Sequence, residues 1–170
     1  MKNEYQIKGP ITEIYIHSGK YGTKTLLIDT ADLPKVQEKV KNSITIKKGS
    51  GKEKWYAVYQ DNKKHYFMHR MILDYDGDLL VDHKDGNGLN DTRDNLRIVT
   101  VSQNAMNIES YAHSQSGIKG LVYDDLRREW RVRIKIEGKV KFEKFYKSKE
   151  KALEVLDRKL EKYHGEFRRQ

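Results

Sequence analysis

The sequence contains no cysteine, few apolar residues and no long hydrophobic run. The absence of Cys among 170 residues excludes disulfides, thiolate nucleophiles and Cys-ligated zinc, and it fits a reducing cytosol. No stretch approaches the ~18 consecutive apolar residues that a membrane helix requires. The N-terminal residues lack the apolar segment of a secretory signal, so none is expected. Apolar residues make up 36% of the chain, which predicts small modules rather than one large barrel or doubly wound sheet.

What the chain has in excess is positive charge. It carries 34 Lys and Arg against 25 Asp and Glu, a net charge of +9. The excess is uneven, because residues 117–170 hold 17 basic and 10 acidic residues, whereas residues 1–116 carry a net charge of only +2. This distribution favours an acidic polymer, nucleic acid first, as the partner. A basic soluble domain without such a partner remains the alternative.

Residues 1–64 show strand patterns and no chemistry-bearing motif. Short strands are predicted at the following ranges: 12–17, 24–29, 43–48 and 55–60. Pro34 suits the first turn of a short helix that runs to Val40, because the N–H that proline lacks is not needed there. We expect this region to be a β-rich scaffold or an accessory DNA contact.

Residues 65–115 follow the order strand, long loop, strand, helix. The strand DLLVDH precedes a loop crowded with Gly, Asn and Asp, and the strand NLRIVT follows that loop. Thr100 and Gln103 have the spacing of a capping box, so a helix should begin at Thr100. A short helix is also predicted in HRMILDY, before the first strand.

Four polar residues stand at the ends of these elements. Asp82 and His83 end the first strand, Asn95 follows His83 by twelve residues, and Asn104 lies in the first turn of the capped helix. Carboxylate and amide oxygens are hard ligands suited to Mg²⁺ or Mn²⁺. An imidazole can take a proton from water near neutral pH. A metal that polarises a phosphate and a base that activates water are together sufficient to hydrolyse a phosphodiester.

The segments VDHKDGN, DNLR and QNAMN, with MHR at residues 68–70, resemble the HNH (His-Me finger) endonucleases of the phage and intron-encoded homing type. The resemblance implies a ββα-metal fold and metal-dependent cleavage of double-stranded DNA, with one nick per active site. It assigns His83 as general base, Asp82 and Asn104 as ligands of one Mg²⁺ or Mn²⁺ ion, and Asn95 as the residue that holds the loop and orients His83. Arg70 and Arg97 would contact phosphate.

The chain departs from this family at one point. NDTR, at residues 90–93, stands where many relatives carry a DNR triplet. The resemblance therefore assigns no specific role to Asp91 or Arg93.

Residues 116–170 read as three strands and a helix. In EWRVRIKIEG, apolar and basic residues alternate with period two, which predicts a strand with a cationic outer face. A helix capped by Ser148 and running to about residue 163 should follow. The segments SGIKGLVYDD, EWRVRIKIEGK, FEKFYKSKEKALEVLD and HGEF resemble the plant ethylene-response-factor type of DNA-binding domain. The resemblance implies a three-stranded antiparallel sheet that enters the major groove. The DNA-facing residues would be Arg128, Arg131, Arg133, Lys135 and Lys141.

The alternative for this cationic stripe is an ordinary solvated face. Adjacent cations on one strand repel one another, and acidic residues on a neighbouring strand could offset that repulsion. The stripe is therefore a DNA-binding surface only if its charge is available to a ligand.

Taken together, the patterns predict an α+β chain with three parts. These are a β-rich region at 1–64, an HNH core at 65–115 and a sheet–helix DNA-binding domain at 116–170. We expect a cytoplasmic protein, phage-encoded and active in the bacterial host, that acts on double-stranded DNA as a monomer or homodimer, without a membrane partner. Two alternatives remain: a DNA-binding regulator with an inert HNH-like part, and a structure-specific or RNA-directed nuclease.

Overall fold

The computed structural model describes residues 1–49, 54–107 and 116–167 of the chain. These residues form two compact units, Met1–Ile98 and Val99–Gln170. Small sheets and short helices alternate in both units, which confirms the predicted α+β class. Within the described residues, no helix has both the length and the apolar character that crossing a membrane requires.

The first sheet of the N-terminal unit is a three-stranded antiparallel meander. Strands β1 (Tyr5–Lys8), β2 (Ile11–Ser18) and β3 (Gly22–Asp29) pair in that order. Alternate residues of β2, beginning at Thr12, are buried, as a half-buried strand requires. Helix α1 (Leu33–Lys39) follows, with Pro34 in its first turn. The two predicted strands and the helix are confirmed, whereas β1 is an additional strand.

The second sheet joins the N-terminal region to the segment of the HNH motifs. Strands β4 (Thr45–Lys48), β5 (Trp55–Asp61) and β6 (Lys64–Phe67) form an antiparallel sheet in that order. Asn62 and Lys63, the two turn residues between β5 and β6, both have positive φ, as tight hairpin turns require. Helix α2 (Met68–Ile72) continues directly from β6.

Strands β7 (Leu80–His83) and β8 (Leu96–Val99) pair with each other and enclose the polar loop between them. The far end of this loop hydrogen-bonds to β3. Leu27 N–H donates to the Leu89 carbonyl at 2.9 Å, and Asp91 N–H donates to the Leu27 carbonyl at 2.8 Å. The N-terminal sheet therefore holds the loop that follows His83.

One hydrophobic core serves the whole N-terminal unit. It includes Ile14 and Leu26 from the first sheet, Met68 from α2, Leu89 from the polar loop and Leu96 from β8. Residues 1–64 and 65–98 thus contribute to one core, because the short elements of the HNH segment are too small to bury an independent core. The predicted domain boundary at 64/65 stays a prediction.

The C-terminal unit begins with α3 (Val101–Met106). Thr100 caps α3 and forms the predicted capping box with Gln103. The unit continues with an antiparallel sheet in the order β11-β10-β9 and a long helix. Its elements are β9 (Leu121–Asp124), β10 (Glu129–Ile136), β11 (Lys139–Tyr146) and α4 (Lys149–His164).

The side chain of Ser148 accepts a hydrogen bond from the Lys151 N–H at the start of α4, which confirms the predicted cap. Val132 and Ile134 of β10 pack with Ala152 and Leu156 of α4 in a second core. The predicted sheet and helix are confirmed. The predicted boundary at 115/116 adjoins residues 108–115, which lie outside the described residues.

Candidate active site

The end of β7 places His83 against a buried carboxylate. Asp82 and His83 are 6% and 4% exposed. His83 Nε2 lies 2.7 Å from Asp91 Oδ1, and Asp91, in the loop after β7, is fully buried. An ionised carboxylate only accepts hydrogen bonds, so with Asp91 ionised the proton of this pair is on Nε2, and Nδ1 is left as the basic ring nitrogen.

Asp91 is the site residue that the sequence analysis did not assign. Burial raises the pKa of the Asp91 carboxyl, and the hydrogen bond to His83 opposes that shift. The departure NDTR places a carboxylate in a loop whose backbone is anchored on β3. The only signal in the sequence is an unusual acidic residue eight positions after His83, and its partner is set by tertiary contact.

His69 completes a buried group of aromatic and imidazole rings. Its ring centroid lies 5.1 Å from that of His83 in an edge-on arrangement, and its other neighbours include Phe67 at 5.1 Å and Tyr56 at 5.8 Å. Burial, followed by the charges of His83 and Arg70, lowers the pKa of His69 to about 3. His69 is therefore a neutral imidazole near pH 7, which agrees with its packing role.

Asp82 and Arg97 form a buried ion pair. Arg97 Nε and Nη2 both donate to Asp82 Oδ2, at 2.9 and 2.8 Å. The side chains are 7% and 11% exposed. Arg97 was predicted to contact DNA phosphate, and the structure directs its guanidinium to Asp82. The pairing compensates the buried charge of Asp82.

Asn95 ties the two ends of the polar loop together. Its Oδ1 accepts from the Asp85 N–H at 3.0 Å, and its Nδ2 donates to Asp85 Oδ1 at 3.0 Å and to the Asn90 carbonyl at 2.7 Å. These bonds join the start of the loop to its end, and the functional role assigned to Asn95 stays a prediction. The orientation of His83 by Asn95 stays a prediction, whereas the contact with Asp91 is present in the structure.

Arg70, the other predicted phosphate contact of this unit, is occupied by the turn that follows α2. Its guanidinium donates to the carbonyls of Gly77 and Leu79 and lies 5.0 Å from the centroid of the Tyr75 ring. These contacts stabilise the segment that immediately precedes β7. The role of Arg70 at a phosphate stays a prediction.

Three side chains of the N-terminal unit are close enough to share a metal ion. Ligand atoms of His69, His83 and Asp91 all lie within 4.8 Å of one another. Within the described residues, His69 Nδ1 and Asp91 Oδ2 are buried without a hydrogen-bond partner. Two imidazoles and one carboxylate suit a transition metal better than Mg²⁺. The predicted pair of ligands, Asp82 and Asn104, stays a prediction, because Asn104 lies on α3 in the other unit.

Comparison with known proteins places this chain in a family. A protein-family model described as HNH endonuclease matches residues 66–106, from β6 through α3. Protein 3.8 of Escherichia phage T7 is 37% identical over 92 residues, which are 52% of this chain and 73% of that protein. The chain belongs to the HNH endonuclease family. It is accordingly a nuclease. No solved structure matches it.

The cationic face of this HNH endonuclease lies on β10 in the C-terminal unit. Arg131 and Arg133 approach Glu143 Oε1 on β11, at 3.9 and 3.4 Å. The structure thus contains the acidic cross-strand residue that the alternative interpretation required, and it offsets part of the repulsion. The other predicted DNA-facing residues are exposed: Arg128 in the turn before β10, Lys135 on β10 and Lys141 on β11. The resemblance to ethylene-response-factor domains stays a prediction.

Proposed function

We propose that this HNH endonuclease is a metal-dependent DNA endonuclease of the homing type, which hydrolyses one phosphodiester per active site at a preferred sequence. The observation that carries the proposal is the contact between His83 and Asp91 at the end of β7. It holds a general base in one tautomer inside a domain that matches HNH endonucleases.

In the proposed reaction, His83 removes a proton from water through Nδ1, and the resulting hydroxide attacks the phosphorus in line with the departing 3′-oxygen. Asp91 is a positioning residue, because it fixes the imidazole ring through Nε2 without touching substrate. Asp82 and Asn104 would hold one Mg²⁺ or Mn²⁺ ion, and such an ion supplies charge stabilisation to the phosphate. Asn95 maintains the loop that carries Asp91.

DNA binding is the proposed role of the basic residues. The cations of the C-terminal sheet would contact groove edges and phosphates, in the manner of ethylene-response-factor domains. These are Arg128, Arg131, Arg133, Lys135 and Lys141. Arg70 and Arg97 would contact phosphate near the scissile bond, which requires them to exchange the backbone carbonyls and the Asp82 carboxylate that they bind in the structure for phosphate oxygens. One active site per chain predicts a nick, and a double-strand break would require a dimer or two successive cuts. The relative in phage T7 supports action in the cytoplasm of a bacterial host.

The decisive experiment replaces the proposed base. The variant His83→Ala should lose Mg²⁺-dependent relaxation of a supercoiled plasmid and should retain DNA binding in a gel-shift assay. His17→Ala is the matched control, because His17 is an exposed imidazole on β2 that bonds Thr23, and it should cleave at the wild-type rate. Cleavage by His83→Ala at the wild-type rate would show that another group is the base. A wild-type protein that binds DNA in EDTA and cuts nothing would support the regulator alternative.

A further inference from the structure

We propose that the outer face of the sheet formed by β4, β5 and β6 is a DNA contact surface beside the catalytic histidine, and that Lys47 and Lys54 bind backbone phosphates there. The inference rests on the proposed function, because it names the part of residues 1–64 that would touch the substrate. It concerns the N-terminal unit alone.

Two aromatic rings on this face connect it to His83. The Tyr56 ring centroid lies 5.9 Å from that of His83 and 5.9 Å from that of Phe67. Tyr56 and Phe67 are both half-buried. The rings of His83, Tyr56 and Phe67 are therefore successive neighbours that connect the active site to the outer face of the sheet.

The ammonium groups of Lys47 and Lys54 lie over these aromatic rings. Lys47 pairs with Tyr56 in the register of β4 and β5, and its Nζ lies 5.4 Å from the centroid of the Phe67 ring. Lys54 is two residues before Tyr56, and its Nζ lies 5.9 Å from the centroid of that ring. Cross-strand partners, and residues two positions apart on one strand, lie on the same face of a sheet. Lys47, Lys54 and Tyr56 therefore share one face.

The charge of both lysines is available to a ligand. Across residues 1–49, 54–107 and 116–167, neither Lys47 nor Lys54 takes part in an ion pair, whereas Lys8, Lys35 and Lys151 each do. Both ammonium groups lack an ion-pair partner and lie on the face that reaches His83, the proposed base. They therefore suit binding to a DNA backbone that passes His83.

The opposite face of the same strands provides a matched control. Lys48 pairs with Trp55, and its Nζ lies 5.9 Å from the Trp55 ring. Lys24 approaches the same ring at 5.7 Å. Trp55 packs against the hydrophobic core, on the side of β5 away from Tyr56. Replacing Lys24 and Lys48 therefore removes the same charge from the other face.

The test measures how DNA affinity depends on salt. Fluorescence anisotropy would follow a labelled DNA duplex with the full-length His83→Ala protein, so that no DNA is cut. In that background, Lys47→Gln with Lys54→Gln should lower the slope of log Kd against log salt by about 1.8, because each phosphate contact contributes about 0.9. Lys24→Gln with Lys48→Gln should change the slope by less than half as much. Gln preserves most of the aliphatic stem over each ring, and thermal unfolding checks the fold.

An unchanged slope in the Lys47 and Lys54 double variant would overturn the inference, and so would an equal reduction in the control variant. Should the double variant fail to fold, the single variants decide, each with an expected reduction of about 0.9. A parent protein that binds no duplex at all would contradict the proposed function itself, which separates that failure from an unchanged slope.

Discussion

The contact between His83 and Asp91 is the smallest feature on which the proposed chemistry depends. His83 can act as a base only if its ring is held in one tautomer with the basic nitrogen toward the water. Asp91 provides this hold from a fully buried position, 2.7 Å from Nε2. Substitution can distinguish the effect of the negative charge of Asp91 from the effect of the hydrogen bond that it accepts.

Asp91→Ala should lower kcat by about 10- to 100-fold, the usual cost of losing a residue that orients a functional side chain. Asp91→Asn should retain more activity, because its amide oxygen still accepts a hydrogen bond from Nε2. The measurement is single-site cleavage under saturating DNA. Asp94→Ala, an exposed carboxylate of the same loop, is the control and should leave kcat unchanged. A kcat of Asp91→Ala equal to wild type would exclude the positioning role.

His69 makes folding stability depend on pH. Its pKa is about 3 in the folded protein and about 6.5 when unfolded, so the unfolded chain binds more protons between these values. Stability should therefore be unaffected above about pH 6.5 and should fall as the pH decreases toward 3, by at most about 1.4 kcal/mol per pH unit. Urea unfolding at about pH 7 and about pH 5 measures this loss.

His69→Leu should show a smaller loss of stability between those two pH values than wild type, because the titrating group is absent. His65→Leu, on an exposed position of β6, should keep the wild-type pH dependence. Identical pH dependence in wild type and His69→Leu would show that His69 does not titrate during unfolding.

The loop between β7 and β8 brings these residues together. At Gly88 this loop packs closely against β5. A Cβ at Gly88 would lie 2.3 Å from the Trp55 carbonyl oxygen and 2.7 Å from the Tyr56 ring. Because the carbonyl belongs to the backbone of β5, the loop would have to move. The absence of a side chain at Gly88 thus sets how closely the loop approaches β5.

Gly88→Ala should destabilise the protein by about 1–3 kcal/mol, the range for overpacked sites, and should reduce cleavage, since the same loop carries Asp91. Gly19→Ala is the control, because a Cβ there would meet nothing within 4 Å. Urea unfolding and plasmid cleavage measure both effects. Equal stability of the two variants would show that the loop accommodates the methyl group without cost.

The elements themselves were largely readable from local patterns. The capping box at Thr100 and the alternation in β10 were predicted and are present, because both depend on residues within a few positions of one another. Strand β1 was not predicted, because it has only four residues, Tyr5–Lys8, and all four are exposed. It forms because β2 offers a free edge with which to pair.

In the whole molecule, charge and core are distributed differently between the two units. The core of the N-terminal unit is built entirely from residues before 99, whereas residues 117–170 carry a net charge of +7. Folding of the first unit and electrostatic attraction to DNA should therefore be separable.

A chain that ends at Ser116 should still unfold cooperatively, because it retains the complete core of the first unit. It should bind DNA more weakly, with a smaller salt slope, and should lose site preference. Thermal unfolding, gel shifts at several salt concentrations and mapping of cleavage ends measure these effects. Site preference identical to that of the full chain would refute the proposed division of labour.

The amino-acid sequence by itself determined the family, the order of the elements and the identity of the catalytic candidate, because motifs such as DH and the capping box are local. Only the tertiary structure decided the neighbours of that candidate. The partners Asp91 for His83, Arg97 for Asp82 and β3 for the loop lie eight, fifteen and about sixty residues away. Contacts at such separations depend on how strands pair and bury a shared core, which no local pattern encodes.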